Sequence, residues 1–286
     1  MRPSKFAYAR PDSVEEAVTI LRAAGGTARV LAGGQSLLPL LNRRAVRPSA
    51  LVDIGGLTGL RYLRRDGAGL RVGALTRHAD LERTTDAAVR SAFGVLPEAA
   101  GLIGHLPIRT RGTVGGSLAH AAPGAEWCLL AVLLDALIVL RGQDGERVVP
   151  AAGFLVGPHR TAAAPDELVV EVRFPVPAPT AVLVEHAVQR GETAEVAAAA
   201  AIETGDDGRV VAARLALDGV DGRPLRLATT ERALLGEVPE PELVARAARE
   251  AVTGLEPPED PRYRTEVAEA LLIRAVRASL AKKESR

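Results

Sequence analysis

Apolar and polar residues follow one another in short blocks along this chain, and the blocks change character near residue 175. Ser13 and Glu16 have the spacing of a capping box, in which each side chain satisfies a backbone donor at a helix start. Val14, Ala17, Val18 and Leu21 then make one apolar stripe, stopped by Gly25-Gly26. Apolar runs at residues 29–32, 51–54 and 70–74 read as short buried strands, the first two ending on Gly33-Gly34 and Gly55-Gly56. Residues 97–104 have a helical pattern, residues 109–117 form a polar, glycine-containing stretch, and residues 123–134 read as a buried helix entered through Pro123. Residues 136–140 and 147–149 look like a hairpin around Gln143-Asp144-Gly145. Short strands alternating with helices predict a mixed α/β architecture.

Pro175, Pro177 and Pro179 favour an extended, semi-rigid connector. Beyond it, strands are predicted at 182–188, 195–202 and 210–217, the last two joined at Asp206-Asp207-Gly208, and then helices at 229–235, 241–253 and 264–282. A run of strands followed by a run of helices is an α+β signature. The pattern therefore divides the chain into domains at 1–176 and 177–286, with no repeat at solenoid periods.

Composition narrows the chemistry. The 286 residues carry a formal net charge of +1, which gives no electrostatic footprint for nucleic acid. The one tryptophan, three tyrosines and four phenylalanines offer no stacking platform for single strands and leave the core to Ala, Val and Leu. A lone cysteine, Cys128, builds no disulfide framework, thiolate zinc site or iron–sulfur cluster; it reads as a small buried apolar residue. The apolar stretch at 129–140 contains Asp135 and is too short to span a bilayer, so no membrane insertion is expected. Residues 1–13 lack the order of a signal peptide, which makes the cytoplasm the expected location. His78, His105, His120, His159 and His186 show no metal-ligand spacing on one helix, and no metal site or catalytic residue is predicted.

The candidate chemistry lies in two glycine-rich loops, Leu31-Ala-Gly-Gly-Gln-Ser-Leu-Leu-Pro39 and Arg111-Gly-Thr-Val-Gly-Gly-Ser-Leu-Ala-His120. Glycine lets backbone N–H groups approach a phosphate closely, and successive N–H groups form an anion-binding nest. Ser36, Thr113 and Ser117 would add hydroxyls, and Arg109 and Arg111 positive charge. Two such loops would grip the two phosphates of a dinucleotide from opposite sides. Neither has the Walker A or G-x-G-x-x-G spacing, so a dinucleotide here belongs to another fold.

These loops, with Leu51-Val-Asp-Ile-Gly-Gly56, Val72-Gly-Ala-Leu-Thr76, Ile108-Arg-Thr-Arg111, Pro165-Asp-Glu-Leu168, Gln189-Arg-Gly191 and Gly219-Val220, resemble in order and spacing the FAD-binding medium subunit of the molybdenum hydroxylases. That group includes carbon monoxide dehydrogenase and the flavin portion of xanthine dehydrogenase. The resemblance covers nearly the whole chain. It implies an α+β fold: a p-cresol methylhydroxylase/vanillyl-alcohol oxidase type (PCMH/VAO-type) FAD-binding domain of two α/β subdomains, about 1–56 and 57–176, followed by a small α+β domain with an antiparallel sheet that covers one side of the flavin.

The resemblance also implies the site. Ala32, Gly33, Gly34, Gln35, Ser36 and Leu37 would carry the first phosphate loop. Thr113, Gly115, Gly116 and Ser117 would carry the second, followed by His120. Glu126 falls where the family contacts the ribityl hydroxyls, and Ala162 and Ala163 fall near the flavin ring. Gln35 stands where some relatives have histidine; glutamine is no attachment residue, so the FAD is expected to be noncovalent. Ala122 replaces a common aspartate, Cys128 a frequent proline, and the segment before Arg190 lacks aromatic residues often found there. The implied partners are a [2Fe–2S] small subunit, a molybdopterin large subunit and an external electron acceptor. A stand-alone flavoenzyme of the same fold, or a scaffold subunit that has lost FAD through changes such as Ala122, remain alternatives.

Overall fold

The structure is a computed structural model that describes residues 3–189 and 191–284. It opens with β1 (Ala7–Ala9), α1 (Val14–Ala23), β2 (Ala28–Leu31), α2 (Leu37–Asn42) and β3 (Ala50–Asp53). β3 is central and pairs in parallel with both β1 and β2. Ser13 caps α1 by accepting the Glu16 amide at 3.1 Å, and the Glu16 carboxylate reaches back to the Asp12 amide at 2.8 Å. Ala17, Val18 and Leu21 are buried against this sheet, as the stripe predicts.

The chain continues through β4 (Leu63–Asp66), β5 (Gly69–Gly73), α3 (His78–Glu82), α4 (Ala87–Ala92), α5 (Val95–Leu102), α6 (Leu106–Arg109), α7 (Val114–His120) and α8 (Glu126–Leu133). It then forms β6 (Leu137–Gly142), β7 (Gly145–Pro150), α9 (Ala151–Phe154), β8 (Leu155–Gly157), β9 (Arg160–Thr161) and β10 (Leu168–Phe174). An antiparallel sheet of order β4-β5-β10-β6-β7 is the platform of this lobe. Every residue of α8 is buried, which explains a helix apolar on all sides. The predicted hairpin turns on Gln143-Asp144, with Gly142 facing Gly145. Part of the polar stretch at 109–117 is helical after all: Thr113 caps α7 by accepting the Gly116 amide at 3.1 Å, and packing against β5 and β10 overrides the helix-weakening effect of two glycines.

The proline connector is not free. The Ala178 amide donates to the Ala92 carbonyl at 2.9 Å, and Ala178 and Ala181 are buried. Beyond it come β11 (Val182–His186), β12 (Val196–Thr204), β13 (Val210–Asp218), β14 (Leu225–Arg226), α10 (Ala228–Leu234), α11 (Pro241–Val252) and α12 (Pro261–Glu284). The four strands form an antiparallel meander in sequence order. Ala197, Ala199 and Ala201 of β12 join the core around α8, while Ala198, Ala200 and Ile202 join the core under α12. Period-two alternation thus buries both faces of one strand, and alanine lets helices approach closely from each side. Arg226 fastens the two lobes, ion-pairing with Asp135 at 2.6 Å and reaching the carbonyls that end α8.

Candidate functional site

The first loop leaves β2 and turns through Gly34, whose φ of +73° favours glycine. Among the described residues, no backbone or side-chain acceptor takes the amides of Gly33, Gly34, Gln35 or Ser36. The Gln35 side chain folds back onto the Gly33 carbonyl at 3.1 Å. Leu37 begins α2. The result is a run of open donors ahead of a short helix, the polarity an anion requires.

The two loops touch through backbone. A Cβ on Gly33 would lie 2.1 Å from the Arg111 carbonyl oxygen, so only glycine permits this approach. The second loop differs from the expected nest, because its donors are already engaged. Val114 donates to the Thr76 carbonyl at 3.0 Å, Gly115 to the Ala74 carbonyl at 2.9 Å, Gly116 to the Thr113 hydroxyl and Ser117 to the Thr113 carbonyl. The glycine at 115 serves packing instead, since a Cβ there would meet the Ala74 Cβ at 2.5 Å. What this loop presents is the start of α7 and the Ser117 hydroxyl. Arg109 is drawn away from any anion: it pairs with Glu82 at 2.9 Å and donates to the Gly104 carbonyl at 2.9 Å. His120 ends α7 with its ring 4.7 Å from that of His159; burial first, then the His159 charge, lowers its pKa.

Glu126 opens α8 and is 8% exposed. Burial pushes its carboxyl up to about 7, and the nearby charges of Glu185 and Asp218 act in the same direction. Asp218 ends β13 and accepts the amides of Gly124 at 3.0 Å and Gly219 at 2.7 Å, linking the C-terminal sheet to the turn before α8. Burial raises it to about 6 against the pull of those two bonds. Ala162 and Ala163 follow β9, partly buried. The Ala162 carbonyl accepts from Arg147 at 2.8 Å, and its amide donates to Phe154. Ala122 is partly buried against the main core. Arg190 lies outside the described residues; Gly191, with φ +84°, packs on the His105 ring, where a Cβ would stand 2.9 Å from the nearest ring atom.

Sequence reasoning missed Asp218, whose role depends on a partner 94 residues away, and the pair formed by His78 and Trp127. Cys128 is buried and its thiol pKa is pushed up by burial, as expected of a packing residue. No described group of three or more His, Cys, Asp or Glu residues has the arrangement to hold a metal ion. Among the described residues no helix is long and apolar enough to cross a membrane.

Residues 4–177 match the family described as the FAD binding domain in molybdopterin dehydrogenase. Residues 185–279 match the CO dehydrogenase flavoprotein C-terminal domain. The chain is 36% identical to the carbon monoxide dehydrogenase medium chain of Hydrogenophaga pseudoflava, with 99% of each chain covered. It is 45% identical to the 6-hydroxypseudooxynicotine dehydrogenase complex subunit alpha of Paenarthrobacter nicotinovorans over 61% of this chain and 58% of that one. A solved structure of carbon monoxide dehydrogenase from Hydrogenophaga pseudoflava superposes with a TM-score of 0.94 at 36% identity over 99% of each chain. The chain belongs to the FAD-binding medium subunits of the molybdenum hydroxylase family, oxidoreductase subunits of the carbon monoxide and xanthine dehydrogenase kind.

Proposed function

We propose that this chain holds noncovalent FAD as the electron-transfer subunit of a molybdenum-containing hydroxylase or dehydrogenase, between partner iron–sulfur clusters and an external acceptor. The observation that carries the reading is the run of open amides from Gly33 to Ser36, set in backbone contact with the start of the second loop. FAD, when bound, supplies the redox chemistry; the protein supplies binding, orientation and electrostatics.

The residues present fit that cofactor. Ala32, Gly33, Gly34, Gln35, Ser36 and Leu37 bind one end of the pyrophosphate through N–H groups. Thr113, Gly115, Gly116 and Ser117 shape the other wall, where glycine keeps the backbone close and Ser117 donates a hydroxyl. His120 closes that wall. Glu126, buried at the seam, accepts hydrogen bonds from ribityl hydroxyls. Ala162 and Ala163 line the ring edge with small side chains. Gln35 forms no covalent attachment. The FAD-binding domain spans 1–176, with subdomains of about 1–56 and 57–176, and the C-terminal domain spans 177–286.

The partners are a small subunit with two [2Fe–2S] clusters and a large molybdopterin subunit, and the compartment is the cytoplasm. The carbon monoxide dehydrogenase relative is named a medium chain and the 6-hydroxypseudooxynicotine dehydrogenase relative a subunit of a complex, which supports an assembly. With the single cysteine at position 128 buried, clusters have no ligands in this chain. Native purification tests the reading: FAD and two co-purifying subunits, one bearing iron and sulfide and one molybdopterin, are expected. A lone yellow protein that oxidises a small substrate by itself refutes the subunit role. A colourless chain that takes up no added FAD refutes the flavin role.

A further inference from the structure

The seam between α8 and the C-terminal sheet gathers three carboxylates, those of Glu126, Glu185 and Asp218. Glu185 pairs with Ala197, and Ala197 with Asp218, so the three stand in one row across β11, β12 and β13 and share a face. That face is the one toward α8, because Ala197, Ala199 and Ala216 belong to the core around α8 whereas Ala198, Ala200 and Leu217 belong to the core under α12. Glu126 opens α8 within electrostatic reach of both acidic members of the row.

Asp218 has partners for both oxygens. The other two carboxylates do not. Oε2 of Glu185 is buried without a hydrogen-bond partner among the described residues. Among the described residues Glu126, more than nine-tenths buried, accepts from its own backbone amide and from no other group. A buried acceptor left empty costs about 1–3 kcal/mol, and native structures contain few of them. Ala197, the smallest chiral side chain, stands between Glu185 and Asp218 in the row. The seam thus has the form of an acceptor site awaiting donors from something other than this chain.

The geometry points to Glu185 as a second carboxylate ligand of FAD, paired with Glu126 across the seam and accepting a hydrogen bond from the flavin half of the cofactor. It rests on the placement of FAD at Glu126 proposed above. Two donors of that half have the right chemistry, a ribityl hydroxyl and the imide N–H of the ring, each giving a charge-assisted bond. The C-terminal domain then contributes directly to cofactor affinity, beyond covering the flavin.

The test titrates the full chain, freed of flavin, with FAD, with an FAD analogue lacking ribityl hydroxyls and with N3-methyl FAD. Glu185→Ala is expected to weaken FAD binding about tenfold or more, the loss of one charge-assisted bond. The melting temperature of its flavin-free form should be unchanged or higher, since a buried carboxylate oxygen without a partner has been removed. One of the two analogues should bind wild type and variant alike, which identifies the donor. Glu185→Gln keeps the shape and should weaken FAD several-fold, so the test survives if the alanine variant does not fold. FAD affinity within twofold of wild type in both variants overturns the inference. So does an undiminished penalty with both analogues, which would mean that Glu185 acts only through the fold. A wild-type chain that takes up no FAD overturns the placement of the cofactor and this inference with it.

Discussion

The indole N–H of Trp127 donates to Nδ1 of His78 at 3.0 Å, with the two rings 24° from parallel. A ring nitrogen that accepts carries no proton, so His78 is held as its neutral Nε2–H tautomer. Burial, followed by the Arg109 charge, brings its pKa down to about 4. The folded value lies below the unfolded one. The contribution is therefore complete above about pH 6.5 and is lost as pH falls toward 4. His78→Phe should lose up to about 3 kcal/mol less stability than wild type across that window. It should also cost about 1–3 kcal/mol at pH 7, by stranding the Trp127 N–H. Denaturant titrations at pH 7 and pH 4 measure both, and parallel losses in the two proteins would rule out His78 as the titrating group.

Glu126 predicts the opposite slope. Burial raises its folded pKa to about 7, above the unfolded carboxylate range, so its proton is bound more tightly in the folded chain. Stability linked to it is complete below about pH 4 and declines as pH rises through 7. Glu126→Gln is neutral throughout. Its flavin-free form should match wild type near pH 4 and exceed it by about 2–3 kcal/mol at pH 8. Thermal melts at the two values decide it; the same difference at both would assign the effect to packing.

The glycines predict a separation of binding from folding. Gly34→Val and Gly116→Val should each abolish FAD binding while the C-terminal domain stays folded, the first through a positive φ, the second through the crowded Thr113 hydroxyl. Gly33→Ala should do the same by pushing Arg111 away. Flavin absorbance after purification, with far-ultraviolet circular dichroism as the folding control, reports each. Stoichiometric FAD in the two valine variants would put the phosphates elsewhere.

The alanines of β12 predict a packing limit. Ala199 is fully buried between the sheet and the core around α8. Ala199→Val should cost about 1–3 kcal/mol by overpacking. Chemical denaturation measures it, and a neutral result would mean that the seam has slack.

The sequence was most legible where local chemistry and tertiary packing agree. Ser13, Glu16 and the stripe from Ala17 to Leu21 mark α1 because cap and burial coincide. The hairpin of β6 and β7 was equally plain from Gln143-Asp144-Gly145. α7 was hidden because Gly115 and Gly116 argue against a helix locally, while Ala74 and Thr113 enforce it from outside. β10, the middle strand of its sheet, is obscured by Glu171 and Arg173. The Glu171 carboxylate is nevertheless buried, because Tyr62, Arg71 and Arg173 all donate to it. At the site, the glycine loops could be read but the fate of their amides could not. Whether an N–H is open or engaged is set by residues such as Thr76 and Ala74, far from it in the chain.

The meeting of Gly33 with the Arg111 carbonyl bears on timing. Two loops already in van der Waals contact cannot swing together when a ligand arrives. The groove between them is assembled once, when the chain folds, and its ordering entropy is spent then. Cofactor uptake should accordingly show single-exponential kinetics, with a rate proportional to FAD concentration and no slow closing phase.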